Sequence, residues 1–303
     1  MSFSSQVKNE LAAVENLSPC CIHAQAYGLM MFAHFSSTDI SITTSSKVIE
    51  QIYIDTLRSV CGVEPVKSEN GRTKKTYAVD TKNQREKVFE VFGHSTKELA
   101  LRINRSNIAE ECCPASFIRG VFMACGTVTD PNKNYHLEFV ISHKRLALDL
   151  FDFLTEIGFN PGAIERKGYH IIYFKESESI EDMLTFMGAT ESSLELMGIK
   201  MQKDVINRAN RKVNSDLSNL VKTVAAASKQ VEAIRYIESR KGLAFLPDSL
   251  REVARLRMEN PEETLRELGE MMVPPLSRSG VNHRLVKILD IAEQLRTEEK
   301  AKE

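Results

Sequence analysis

The stretch between Glu270 and Asp290 contains no acid, yet it offers Ser277, Arg278, Ser279, Asn282, His283, Arg284 and Lys287 as hydrogen-bond donors. Arginine and asparagine can each make paired hydrogen bonds to a base edge, and lysine and arginine neutralise phosphates. Val281, Leu285, Ile288 and Leu289 recur among these donors at three- and four-residue spacing, which predicts a helix with an apolar inner side and a donor-rich outer side. Ser277 is the expected N-cap of that helix. Such a helix needs a scaffold, and the preceding residues supply one. Leu250 to Met258 reads as a first helix, and Thr264 caps a second, LRELGEMM, with Leu265, Leu268 and Met272 inward. Val273-Pro-Pro-Leu276 makes the turn. The whole reads as a helix-turn-helix in which two prolines replace the usual turn glycine and lengthen the connection. A plain three-helix bundle would also carry a polar outer face, but it has no need to exclude acids from it.

The second group of chemically capable residues is cysteine. Cys20-Cys21 and Cys112-Cys113 lie 92 residues apart, and at the same offset Gly28 falls on Gly120 and Met31 on Met123. Self-similarity at so long a period indicates two copies of one folded unit. Four thiolates at a pseudo-two-fold axis could hold zinc, but structural sites prefer two to four residues between paired ligands. Buried free cysteines near helix starts are the favoured reading, so no metal and no cofactor are expected.

Each copy shows the same order of elements. In the first, a helix from Ala24 precedes a strand Ile40–Thr44 and a helix from Ser46. A hairpin at Asn70-Gly71 and a helix from about Asn83 to Phe92 follow. In the second, a helix over 115–125 leads to a strand Leu137–Ser142 and a helix over 144–157. A turn at Asn160-Pro-Gly162, a hairpin at Lys167-Gly168 and a helix over 179–187 complete it. Both copies read α-β-β-α-β-β-α if the hairpins supply the missing strands. The expected class is α+β, a duplicated body followed by an all-α module. The boundaries read 1–19 for an opening helix capped by Ser4 or Ser5, and 20–192 for the duplicated body, with repeats at about 20–93 and 112–188. A basic helical linker takes 193–242, the helix-turn-helix 243–297, and a solvated tail 298–303.

The chain of 303 residues is nearly neutral at −1, so no global charge announces nucleic acid. The halves differ, however. Residues 200–303 hold 20 Lys/Arg against 16 Asp/Glu, while residues 1–199 hold 20 against 25. Arg208, Arg211 and Lys212 in the linker are candidates for phosphate contacts. The longest apolar run, near Tyr27 to Ala33, is too short to cross a bilayer. Six cysteines without a secretory leader point to the reducing cytosol.

In the frame of the two glycines, AYGLMMFAH (26–34) and IRGVFMACG (118–126) resemble the LAGLIDADG motif of homing endonucleases. The resemblance implies paired motif helices, a saddle of sheets over DNA, and a metal-holding carboxylate at the end of each motif helix. That position is Ala33 in one copy and Cys125 in the other, and neither is an acid. Asp39 and Asp130 lie nearby but suit turns. A nuclease is therefore disfavoured. The whole chain resembles the WhiA family of Gram-positive bacteria. The resemblance rests on CCIHA at Cys20, FIRGVFMACGTVTDP (117–131), Asn207-Arg208, KTVAAASKQVEAI (222–234) and LREVARLRMENPEETLRELGEMMVPPLSRSGVNHRL (250–285). It implies a non-enzymatic DNA-binding protein of the nucleoid, acting in transcription control or in cell division and chromosome segregation. It also implies a helix-turn-helix like that of sigma factors, and either duplex DNA or transcription machinery as partner.

Overall fold

Ser2 opens the first helix, α1 (Phe3–Ala12), by accepting the Ser5 N–H on its hydroxyl at 3.2 Å. The cap lies earlier than Ser4 or Ser5 because Phe3 must be helical to share a buried face with Val7 and Leu11. The computed structural model describes residues 2–15, 17–70, 74–98 and 100–300. Residues 1–204 form one unit and 205–303 a second.

In the first unit the repeated pattern is realised twice. The first copy is α2 (Pro19–Phe32), β1 (His34–Phe35), β2 (Ile40–Thr44), α3 (Lys47–Thr56), β3 (Val66–Asn70), β4 (Lys74–Ala78) and α4 (Lys82–Val91). The second is α5 (Cys113–Cys125), β5 (Gly126–Val128), β6 (Leu137–Ile141), α6 (Lys144–Glu156), β7 (Gly162–Arg166), β8 (Tyr169–Phe174) and α7 (Ser177–Met187). Each copy builds one antiparallel sheet, ordered β1-β2-β4-β3 and β5-β6-β8-β7. The class is α+β with a duplicated α-β-β-α-β-β-α body. The strands that periodicity misses, β1 and β5, are only two and three residues long and leave the motif helices directly.

Local chemistry sets the boundaries. Ser46 caps α3 through the Ile49 N–H, and Thr81 caps α4 through the Gln84 N–H. In the β7–β8 hairpin Lys167 and Gly168 take φ of 52° and 80°, the left-handed pair that a two-residue turn needs. The corresponding Asn70-Gly71 turn involves Gly71, which lies outside the described residues, although Asn70 pairs with Lys74 across it.

Both motif helices begin earlier than their apolar pattern suggests. Pro19 and Pro114 sit in the first turns, where a missing N–H costs nothing, so the cysteine pairs mark the helix starts rather than lying ahead of them. The two helices pack backbone to backbone. A Cβ on Gly28 would strike the Phe117 carbonyl and lie 3.0 Å from the Val121 nitrogen. One on Gly120 would strike the Gln25 carbonyl and lie 2.8 Å from the Leu29 nitrogen. Tyr27, Leu29, Met30, Met31, Phe117, Ile118, Val121 and Phe122 are buried along this seam, in one core shared by both copies. The two glycines are the point at which the paired motif helices cross.

Helix α8 (Thr190–Lys241) is a single helix of 52 residues, and the unit boundary falls within it. Its start is capped from afar, because the Glu10 carboxylate accepts the Glu191 N–H at 2.6 Å and the Ser192 N–H at 3.0 Å. In the second unit, Ala233, Ile234 and Ile237 at the end of α8 share a core with α9 (Asp248–Glu259), α10 (Leu265–Glu270) and α11 (Arg278–Lys300).

Candidate nucleic-acid interface

Helix α10 starts with a reciprocal capping box. The Glu267 N–H donates to the Thr264 hydroxyl at 3.3 Å, and the Thr264 N–H donates to the Glu267 carboxylate at 2.7 Å. These bonds from Thr264 hold the Glu267 carboxyl below its ordinary range. The turn into α11 closes on Gly269, whose carbonyl accepts the Leu276 N–H at 2.9 Å. A Cβ there would strike the Leu276 carbonyl. The close-approach glycine of this motif is therefore present, inside α10 rather than in the turn itself, and the two prolines do not replace it.

Ser277 caps α11, accepting the Gly280 N–H on its hydroxyl at 3.2 Å. Val281, Leu285 and Ile288 are buried, and Leu289 is half-buried against the same core. Outside lie Ser277, Arg278, Ser279, Asn282, His283 and Lys287, all exposed. Arg284 differs from its neighbours. It is half-buried, with Nη1 4.0 Å from the Met272 sulfur, so part of its length packs on the scaffold.

The outward residues divide into two sets by helical position. Ser279, His283 and Lys287 stand opposite the buried face. Arg278 and Asn282, one turn apart on the flank, instead line a groove of about 430 Å³ with Lys222 and Gln230 of α8, Arg257 of α9 and Arg266 of α10. Arg257 is almost fully buried, donating from Nη1 to the Glu263 carbonyl at 2.7 Å and to the Pro261 carbonyl at 3.4 Å. Its partners are carbonyls rather than a carboxylate, so its charge stays uncompensated by them, and burial pulls its pKa down. No sequence pattern singles out Arg257 or Lys222, because the groove joins residues from four helices.

The linker candidates Arg208, Arg211 and Lys212 are exposed. With Ser215, Asn219 and Lys222 they recur at three- and four-residue intervals along one face of α8, a face that continues into the groove. Together these elements present exposed hydrogen-bond donors on α11 beside Lys222 of α8, with Arg208, Arg211 and Lys212 exposed farther along that helix.

The first unit holds the two positions where a LAGLIDADG nuclease carries its acids. Ala33 follows α2 directly, and Cys125 is the last residue of α5, its thiol donating to the Val121 carbonyl at 3.5 Å. Burial pushes the Cys125 thiol up to about 12. Both positions line one cavity of about 550 Å³, together with Lys8, His34 and His143. The Lys8 ammonium donates to the Met123 carbonyl at 3.2 Å, and burial lowers its pKa. Magnesium pairs require hard anionic oxygen ligands, and this lining offers hydroxyls, two imidazoles, a high-pKa thiol and an ammonium but no carboxylate. This set does not fit the metal pair. Asp39 receives the Ser41 hydroxyl at 3.1 Å, and Asp130 receives the Asn132 N–H at 2.9 Å, so both acids serve turns.

Burial of the cysteines is uneven, against expectation. Cys21 and Cys113 are buried and Cys20 is partly so, but Cys112 is exposed, because it sits at the N-cap of α5 rather than within the seam.

Fold and site together define a helix-turn-helix protein carried on a LAGLIDADG-like body whose metal-binding acids are gone. Comparison with known proteins agrees with that class. Family models match the WhiA LAGLIDADG-like domain at residues 114–206 and the WhiA C-terminal HTH domain at residues 209–292. The probable cell division protein WhiA of Alkaliphilus metalliredigens is 36% identical, with 98% of this chain and 99% of that protein covered. The protein of the same description from Clostridium botulinum strain Eklund 17B is 39% identical over the same shares. The crystal structure of full-length WhiA from Thermatoga maritima superposes with a TM-score of 0.56 at 26% identity, covering 97% of this chain and 99% of that one. The chain belongs to the WhiA family. Among the described residues, no helix is long and apolar enough to cross a membrane.

Proposed function

We propose that this chain is a non-enzymatic DNA-binding protein that places the N-terminal turns of α11 in the major groove and lays the basic face of α8 along the phosphate backbone. The observation that carries this reading is the exposed, acid-free donor face of α11 adjoining the cationic groove of Lys222, Arg266 and Arg278. On this geometry Ser279, Asn282, His283 and Arg278 address base edges. Lys287, Arg208, Arg211 and Lys212 address phosphates, and Arg284 braces the helix as well as contacting the backbone. The named relatives are described as probable cell division proteins, and the same role is proposed here, exercised at the nucleoid through transcription control or chromosome segregation. The donor set at Ala33 and Cys125 supports a role without phosphodiester cleavage.

A second reading concerns the saddle. Residues 1–199 carry 25 acids against 20 basic residues. That excess favours a protein partner, such as transcription machinery or a sigma factor, over DNA on this body. The test is fluorescence anisotropy of the full chain on duplex DNA across a salt series, with a magnesium-dependent plasmid-nicking assay in parallel. The reading expects affinity to fall linearly on a logarithmic salt scale, with no nicking. Salt-independent binding or magnesium-dependent nicks would refute it.

A further inference from the structure

The two cysteine pairs take no part in the proposed DNA contacts, yet the fold brings them together. Cys20 and Cys21 occupy the first turn of α2, while Cys112 and Cys113 stand at the cap and first residue of α5. Their four sulfurs all lie within 4.8 Å of one another, and Cys20 Sγ is 3.6 Å from Cys112 Sγ. Tetrahedral zinc takes thiolates at about 2.3 Å, which sets the sulfur–sulfur edges at about 3.8 Å. The observed spacing brackets that value before any ion draws the ligands in.

We propose that Cys20, Cys21, Cys112 and Cys113 form a mononuclear tetrathiolate site for zinc that clamps the two repeats together at the starts of their paired helices. Neighbouring cysteines chelate one ion awkwardly when a single segment must supply all its corners. The crossing at Gly28 and Gly120 removes that difficulty, because each chain segment supplies only two corners and the two helix starts face each other across the seam.

Two further features suit an anionic metal centre. The four cysteines sit at the N-terminal ends of the two helices, where the helix dipole places partial positive charge. The Ser18 hydroxyl lies 3.1 Å from Cys20 Sγ and 3.9 Å from Cys112 Sγ, placed to donate to a thiolate. Exposure of Cys112 gives an ion a route in. The spacing also selects the kind of centre. An iron–sulfur cluster interposes inorganic sulfide and needs its thiolates farther apart than the 4.8 Å seen here. Binding replaces the S–H protons with the metal and releases them to solvent, so no oxidant is needed.

The test uses the full chain, purified under reducing conditions and stripped of metal, then titrated with cobalt(II) as a spectroscopic stand-in. The expected result is one equivalent per chain, with thiolate-to-cobalt charge transfer and the strong d–d absorption of tetrahedral cobalt, both abolished by one equivalent of zinc. Cys112→Ser, at an exposed position, should keep the native circular dichroism and lose the charge-transfer band in part. Ser18→Ala, which removes no ligand, should weaken zinc binding by about tenfold. Four freely reactive thiols after incubation with zinc, weak octahedral cobalt bands, or a Cys20–Cys112 disulfide forming in place of metal uptake would each overturn the proposal.

Discussion

Replacing Gly120 by alanine should separate the motif helices. The new methyl would strike the Gln25 carbonyl and lie 2.8 Å from the Leu29 nitrogen, whereas ordinary contact begins near 3.4 Å. Both atoms are backbone within α2, so no side chain can swing aside, and the helices must part by roughly 1 Å. The gap would open through a seam where Tyr27, Phe117 and Val121 are fully buried and the Tyr27 and Phe117 rings sit 5.8 Å apart. Overpacking of this kind costs about 1–3 kcal/mol. Gly198 supplies the control, since it is exposed within α8 and a Cβ there meets nothing within 4 Å. Gly198→Ala should gain up to about 1 kcal/mol from helix propensity. Calorimetry should then show the Gly120→Ala transition of the N-terminal unit about 2–12 °C below wild type, at about 2–4 °C per kcal/mol for a unit of this size. Gly28→Ala meets the same seam from the other side, so the double variant should lose less than the sum of the two. A Gly120→Ala protein that melts at or above wild type would refute the close crossing.

Other consequences are separately measurable. Replacing Arg208, Arg211 and Lys212 with alanine should flatten the slope of log affinity against log salt by about 2.7, at about 0.9 for each phosphate no longer neutralised; an unchanged slope in anisotropy titrations would place the phosphates elsewhere. Thr264→Ala should destabilise the C-terminal unit by about 1 kcal/mol in thermal melts, whereas Thr264→Ser, which keeps the capping hydroxyl, should melt close to wild type. Because the Glu267 carboxyl is held below its ordinary range, the capping box should be complete at neutral pH and fade as pH falls through the carboxylate range, an order that the same melts at descending pH would check. Ala33→Asp combined with Cys125→Asp should leave plasmid DNA uncut in magnesium, since the lining around these positions supplies no further carboxylate to complete a metal pair.

Much of this architecture is legible in residue order because it is local. The repeated Cys-Cys and Gly spacing reveals the duplication, and Ile40–Thr44 is found with both its ends. Val281, Leu285 and Ile288 announce the inner face of α11. What escapes is of two kinds. The apolar pattern begins late, so α2 is placed from Ala24 and α5 from residue 115 although the helices start at Pro19 and Cys113, where proline fits a first turn. The rest depends on segments distant in sequence. Gly269 matters only once Leu276 folds back on it, and Lys222, Arg257 and Arg278 meet only in the folded groove. The thiols of Cys20 and Cys112 converge only when two helices cross. Arg284 and Lys287 look alike in the sequence, yet Met272 covers one and leaves the other exposed.

Competition binding of the full chain against a randomised duplex pool tests the central claim most directly, using wild type, Asn282→Ala and Lys287→Ala, each with native circular dichroism. Asn282 is exposed near the start of α11, so losing it should relax selection at one base position, a change of about 1–3 kcal/mol in discrimination. Lys287→Ala should weaken every sequence alike, flatten the salt slope by about one and leave the selected motif intact. An unaltered motif for Asn282→Ala together with wild-type affinity for Lys287→Ala would contradict the assignment of α11 as the helix that reads DNA.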